Sequence, residues 1–231
     1  MATQPVLVFL DAHCTVEHSW LPPLLRVLEN EPDALVGPAV RNAGEPQYEG
    51  CGAEIINPLF AYRWRRVNGI GIRKVGLVPG GCLAVRRERF ISDGGFGPFR
   101  AFGVEDVDLA LRWWRAGRSI LGVPESQITH QFRLKAPYKP EQKAWMENVL
   151  RTALRHLTGK ELENCVTWCS QLQSFNVAIA TALGEPWIAE REKIISTERQ
   201  TVHSYIEHWA PKAFTLEKIR ENCSGRCDHD T

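Results

Sequence analysis

The chain has 231 residues, 44% hydrophobic and 24% charged, as in an ordinary soluble globular protein of one domain or of a domain with an appendage. Its 28 basic and 27 acidic side chains leave a net charge of +1, which gives no electrostatic case for nucleic acid or an anionic membrane as partner. No apolar run approaches the roughly 20 residues of a spanning helix, the first residues lack a basic and apolar leader pattern, and the cysteines number an odd seven, so a reducing, cytoplasmic setting is expected.

Val6-Leu7-Val8-Phe9-Leu10 is apolar without interruption and predicts a buried strand of a parallel sheet. It ends in Asp11-Ala12-His13, whose acid and imidazole stand two apart and share a direction if the strand continues. Such a pair at the carboxyl edge of a sheet has the character of metal ligands, and suits Mn²⁺ better than an all-oxygen Mg²⁺ site. Ser19 is the expected N-cap of a helix in which Leu21, Leu24, Leu25 and Leu28 repeat at helical spacing, with Pro22 and Pro23 in its first turn. Ala34-Leu35-Val36-Gly37 predicts the next strand, and Pro38 its exit.

Residues 41–77 mix glycine, proline, aromatics and arginines, with Tyr62-Arg63-Trp64-Arg65-Arg66 at their centre. A basic, aromatic insertion beside an active site suits contact with an acceptor or a phosphate. The plainer reading is a β-ribbon with solvated arginines. Val78 to Val85 predicts a second central strand, and Gly80-Gly81 at its start permit close approach of a ligand or simply a tight turn. A short helix is expected over Arg86 to Ile91. Glu105, Asp106 and Asp108 open a further helix that carries Val107, Leu111 and Trp114 along one side and ends at Gly117. Acids in a first turn are favoured by the helix dipole whatever their role.

Ser119 to Val123 and Gln127 to Thr129 predict two strands that bring His130 to the edge where Asp11 lies. From Pro140 the pattern turns helical. Trp145, Val149, Leu150 and Leu154 form a stripe, and Thr158 with Glu161 has the form of a capping box. Leu162, Val166, Leu172 and Phe175 continue that helix, Pro186-Trp187 breaks it, and two shorter polar helices follow. Cys165 and Cys169, with Cys223, Cys227 and His229, leave a zinc site open, although Cys165 and Cys169 also fit one buried helix face.

Four of these stretches, in this order, resemble motifs of the polypeptide N-acetylgalactosaminyltransferases and related family 2 glycosyltransferases of the GT-A fold. They are Asp11-Ala12-His13, Pro79-Gly80-Gly81-Cys82, Phe102-Gly103-Val104-Glu105-Asp106, and His130-Gln131-Phe132-Arg133 followed by Pro137-Tyr138. The resemblance implies an α/β, GT-A-like fold, a partial Rossmann-like mixed sheet flanked by helices, with a core over 1–140 and a helical extension over 141–231. It implies metal-dependent transfer of a sugar from a nucleoside diphosphate donor, UDP-linked, to a sugar, peptide or small-molecule acceptor. Asp11, His13 and His130 would hold Mn²⁺ (or Mg²⁺). Gly80, Gly81, Phe102, Arg133 and Tyr138 would contact the donor, and Glu105 or Asp106 would serve as the base or hold a sugar. Phe102 stands where those transferases have Trp, Val104 where they have Gly and Ala12 where they commonly have Ser, which leaves acceptor, donor sugar and stereochemistry open.

In that family a further half, carrying the pocket for the nucleotide base, precedes the Asp-x-His strand, whereas only Met1 to Pro5 precede it here. A second polypeptide or self-association is expected to replace it. The alternative is a catalytically silent module that binds a partner polypeptide.

Overall fold

The structure, a computed structural model, describes residues 3–67, 69–133 and 141–215. Tyr138, Cys223, Cys227 and His229 lie outside the described residues. The chain forms two compact units, one of residues 1–54, 63–97 and 117–132, the other of residues 55–62, 98–116 and 133–231.

The first unit is built on an eight-stranded mixed sheet. Its elements are β1 (Val6–Leu10), β2 (Cys14–Val16), α1 (Leu21–Asn30), β3 (Leu35–Asn42), β4 (Glu45–Ile55), β5 (Tyr62–Arg66), β6 (Arg73–Lys74), β7 (Cys82–Arg86), α2 (Arg87–Ser92) and, after a helix of the second unit, β8 (Ile120–His130). β3 pairs in parallel with β8 along one edge, and on the other edge meets β7 at Val36 and β4 from Ala39 onward. β1 pairs antiparallel with β7 at the end of the sheet. Leu24, Val27 and Leu28 of α1 pack on Val36, Ala84, Leu121 and Val123, and Val6, Val8 and Trp20 close the cluster. Phe9 turns the other way, onto Phe90 and Phe96, with ring centroids 4.9 and 4.7 Å apart.

Several expectations change here. β1 is not a buried strand of a parallel sheet. It is a half-buried edge strand in an antiparallel pair, because two aromatic and aliphatic layers cover its faces but only β7 covers its edges among the described residues. Ser19 does not cap α1. The cap position falls to Trp20, whose ring joins the core and whose carbonyl accepts the Ser126 hydroxyl at 2.6 Å. Pro38 does not end its strand, since β3 runs on to Asn42. The two strands expected over 119–129 are one strand, β8, with Pro124, Glu125 and Ser126 bulged out where the register jumps from Pro38↔Val123 to Ala39↔Gln127. Prolines on both strands remove ladder donors at that point, and a bulge absorbs the loss.

The second unit is helical: α3 (Glu105–Arg115), α4 (Gln142–His156), α5 (Gly159–Cys169), α6 (Phe175–Leu183), α7 (Trp187–Ser196) and α8 (Val202–Trp209). α4 packs against α5, α6 and α7, and α3 against α4 and α8. Trp114 of α3 meets Tyr205 and Trp209 of α8 edge to face, at 5.7 and 6.5 Å. Thr158 occupies the cap position of α5 but makes no side-chain cap bond, and Glu161 instead accepts from His203 at 3.0 Å. The expected run through Phe175 breaks at Ser170, whose hydroxyl bonds back to the Thr167 carbonyl at 2.7 Å.

Candidate metal centre

The polypeptide leaves β1 at Leu10 and turns sharply, with the Asp11 carbonyl accepting the Cys14 N–H at 3.1 Å. It returns as β2, antiparallel to β8, in a register that sets Cys14 opposite His130. The Asp11 N–H donates to the Gly81 carbonyl and the Gln131 N–H to the His13 carbonyl, at 3.0 and 3.2 Å. Three segments far apart in sequence thus close around one point.

At that point the ligand atoms of Asp11, His13 and His130 lie within 4.8 Å of one another. His130 Nε2 is 3.2 Å from Asp11 Oδ2, His13 Nε2 is 3.9 Å from the same oxygen, and the two imidazole centroids are 4.4 Å apart. Ligand atoms about 2.1 Å from a shared ion stand roughly 3 to 4 Å apart, so one carboxylate and two imidazoles fit a divalent ion with small rotations. Burial holds His130 below the usual imidazole range, aided by the charge of His13 and opposed by its bond to Asp11. The neutral ring is the form that ligates a metal. His130 Nδ1 is buried and has no hydrogen-bond partner among the described residues, an orphaned polar atom at the cluster.

Gly81 completes the wall. A Cβ there would stand 3.2 Å from Asp11 Oδ2 and 3.6 Å from His130 Cδ2, so glycine leaves the carboxylate its room. Cys14 lies alongside, its thiol donating to the Gly81 carbonyl at 3.7 Å. Burial, with the nearby Asp11 charge, pushes that thiol up to about 11, which keeps it a neutral S–H rather than a thiolate ligand.

The other expected site residues fall on both units of the chain. Gly80 is half-buried in the turn before β7, and Arg133 is exposed. Phe102, Glu105 and Asp106 belong to the second unit. Phe102 is 75% exposed there. The Glu105 carboxylate accepts the Gly103 N–H at 2.8 Å, and Asp106, buried, accepts the Val107 N–H at 2.8 Å. Cys165 and Cys169 are buried against each other in α5; their mutual hydrogen bond, then burial, raises the Cys165 thiol well above its ordinary range. Two aromatic residues lie in stretches the sequence singled out but were given no role of their own. Phe132 stands 4.2 Å from the His130 ring and Trp64 of β5 stands 6.2 Å from Phe132, a chain of rings running out from the metal cluster. The aromatic at third place in His-x-Phe-Arg was the available signal for Phe132, and the basic, aromatic run over 62–66 was the signal for Trp64, although their contact is long-range.

Residues 1–92 match the family described as "Glycosyl transferase family 2". Among curated proteins, the probable N-acetylgalactosaminyltransferase 8 of Caenorhabditis elegans is 28% identical over 169 residues, 66% of this chain and 40% of that protein. The polypeptide N-acetylgalactosaminyltransferase 4 of the same organism is 30% identical over 155 residues, 60% of this chain and 26% of its own length. The human polypeptide N-acetylgalactosaminyltransferase 12 is 28% identical over 149 residues, 58% and 26% of the two chains. This chain therefore spans less than half the length of these relatives. A solved structure, described as GalNAc-T7 with UDP, GalNAc and Mn²⁺, matches with a TM-score of 0.65 and 19% identity, over 90% of this chain and 40% of that one. The likeness establishes a GT-A fold.

Proposed function

We propose, from the match of residues 1–92 to the family described as glycosyl transferase family 2, that this chain transfers a sugar from a UDP-linked donor to an acceptor, with Mn²⁺ (or Mg²⁺) as its metal. The observation that carries the reading is the convergence of Asp11, His13 and His130 beside Gly81. UDP, GalNAc and Mn²⁺ in the GalNAc-T7 structure support the class of donor and the metal.

Asp11, His13 and His130 would hold the ion. One carboxylate and two neutral imidazoles leave a divalent ion with net positive charge, which attracts a diphosphate. When bound, the ion supplies Lewis-acid stabilisation of the departing nucleoside diphosphate. Gly81 keeps the wall of the pocket thin, and Arg133 offers a planar cation for phosphate. Of the two acids, Glu105 is half-buried and Asp106 almost wholly buried. The more accessible Glu105 is our assignment for the base that takes the acceptor proton.

Calorimetric titration of UDP into the protein, with and without Mn²⁺, tests the reading. Binding is expected only with Mn²⁺ and is expected to vanish in His130→Ala. Glu105→Gln should keep UDP binding and lose sugar transfer or donor hydrolysis. Mn²⁺-independent UDP binding, or none, would sink the assignment.

A second reading is favoured by the open edge of β1. Pro5 and Asp11 bond to the β7 side, so the N–H and C=O groups of Val6, Val8 and Leu10 face away from it, with no strand partner among the described residues. A strand from a second polypeptide or a second copy would complete the sheet there, with this chain silent until it docks. Donor binding that appears only on adding a partner, or only at high protein concentration, would favour it.

A further inference from the structure

Glu105 stands at the first position of α3, and the turn that delivers it is not one its own residues favour. Gly103 and Val104 both have positive φ, 113° and 74°. Val104 occupies the N-cap position in the left-handed region, where a β-branched side chain is out of place and glycine is the usual residue. Such a turn persists only where its surroundings over-determine it. Those surroundings are one face of α4, in the same unit. Asn148, 2% exposed, donates from its amide nitrogen to the Ala101 carbonyl at 2.9 Å and to the Gly103 carbonyl at 3.2 Å. Trp145 lies on Gly103 so closely that a Cβ there would stand 2.7 Å from its ring. Arg151 donates to the Pro98 carbonyl, and Glu147 pairs with Arg100 at 3.6 Å. Positions 145, 148 and 151 recur at a spacing of three, so they lie along one side of the helix.

We propose that Asn148 is a positioning residue for Glu105. It acts through Gly103, which is fixed at both its polar groups: Asn148 donates to its carbonyl, and the Glu105 carboxylate accepts its N–H at 2.8 Å. Two backbone carbonyls can be met only by donors, and asparagine brings two on a side chain short enough to be buried. Aspartate has the same shape but would set an acceptor against acceptors. With the turn held, the Glu105 carboxylate keeps one place at the head of α3 although Val104 beside it is strained. A carboxylate that takes a proton works from a fixed distance and angle, so its displacement costs turnover rather than donor affinity. Donor affinity belongs to the metal cluster, whose residues lie in the other unit. The clamp itself does not depend on transferase activity; its effect on turnover rests on the assignment of Glu105 as the base.

The test compares the full chain with Asn148→Asp, Glu105→Gln and the double variant. Hydrolysis of UDP-linked N-acetylgalactosamine with Mn²⁺ gives kcat and KM, and hydrogen exchange is followed at the Gly103 amide. Asn148→Asp should lower kcat at least about tenfold with donor KM unchanged. The double variant should be no slower than Glu105→Gln alone, because both changes act on one carboxylate. The Gly103 amide should exchange at least about tenfold faster in Asn148→Asp. It should stay protected in Glu105→Gln, whose side-chain oxygen still accepts the bond. Unchanged helical circular dichroism and unchanged Mn²⁺-dependent UDP binding show that each unit is folded. Asn148→Ala, which removes the donors without burying a charge, should give the same pattern and takes the place of Asn148→Asp if that variant does not fold. A raised donor KM at unchanged kcat, losses that multiply in the double variant, or an unchanged Gly103 amide overturns the proposal. Full activity in Glu105→Gln removes the base assignment and the positioning role with it. Faster exchange at Gly103 in a protein that hydrolyses no donor would keep the clamp on Glu105 and remove the transferase reading.

Discussion

Gly81 is where one hydrogen atom decides the site. Its backbone is not in the left-handed region, so alanine is acceptable to the main chain, yet a methyl group would press on Asp11 Oδ2 from 3.2 Å. Gly81→Ala should weaken Mn²⁺ binding about tenfold, roughly 1.4 kcal/mol, with little change in melting temperature. Gly71→Ala, where nothing lies within 4 Å of the new carbon, is the control. Equal Mn²⁺ affinity in both variants would mean that the Asp11 carboxylate is not a ligand. At this scale much was legible. Asp11, His13 and His130 carry the chemistry of metal ligands in their side chains, and the resemblance ordered them. The meeting of Trp64 with Phe132 was not legible, because it joins residues 68 positions apart and no local pattern encodes it.

The element scale holds a second buried centre, in α3 and α4. Asp108 is fully buried and receives Arg112 at 2.8 Å, Arg155 at 2.7 Å and His156 at 2.9 Å. Burial pushes its carboxyl up, but Arg112, Arg155 and the His156 hydrogen bond outweigh burial and hold it well below the usual range. Burial drives His156 down to about 4, against the pull of Asp108, so the ring is neutral near pH 7 and donates Nε2–H to the carboxylate. Both shifts act in one direction. Between the ordinary imidazole value of 6.5 and about 4 the unfolded chain holds a proton that the folded chain lacks, so stability falls as pH falls. The slope is at most about 1.4 kcal/mol per pH unit, and the depressed Asp108 adds a further loss at still lower pH. The urea midpoint of helix unfolding should therefore decline from pH 6.5 to 4.5, and His156→Gln should flatten that decline whatever its starting stability. An unchanged slope would remove His156 as its source. The helices themselves were readable from their apolar stripes, but this centre was not. Asp108 reads in sequence as one more acid of a first turn, and only the packing of α4 shows that it is an anchor. The strand errors have the same origin. Pro38 and Pro124 look like stops, and only the pairing of β3 with β8 makes them a bulge inside continuous strands.

Across the whole molecule, the two units each take non-contiguous stretches of sequence, a division that hydrophobic periodicity does not register. The metal centre is a product of that long-range architecture. Its ligands at 11 and 13 meet the one at 130 only when β2 pairs with β8, so an unfolded chain has no site to offer. Metal binding is then folding free energy for the first unit. At a free Mn²⁺ concentration about a hundredfold above its dissociation constant, the folded state gains about 2.7 kcal/mol. For a chain of this length that corresponds to a rise in melting temperature of roughly 5 to 10 °C. Calorimetric scans with Mn²⁺ and with a chelator should show that rise in the wild-type protein and lose it in His130→Ala. The α3–α4 centre contains no residue of the metal cluster, so if the two units melt separately, only the transition of the sheet unit should move. A shift in both transitions would mean that they unfold as one. No shift in either, with UDP absent and present, would mean that the three ligands do not hold the ion, and the donor site proposed for this chain would fall with them.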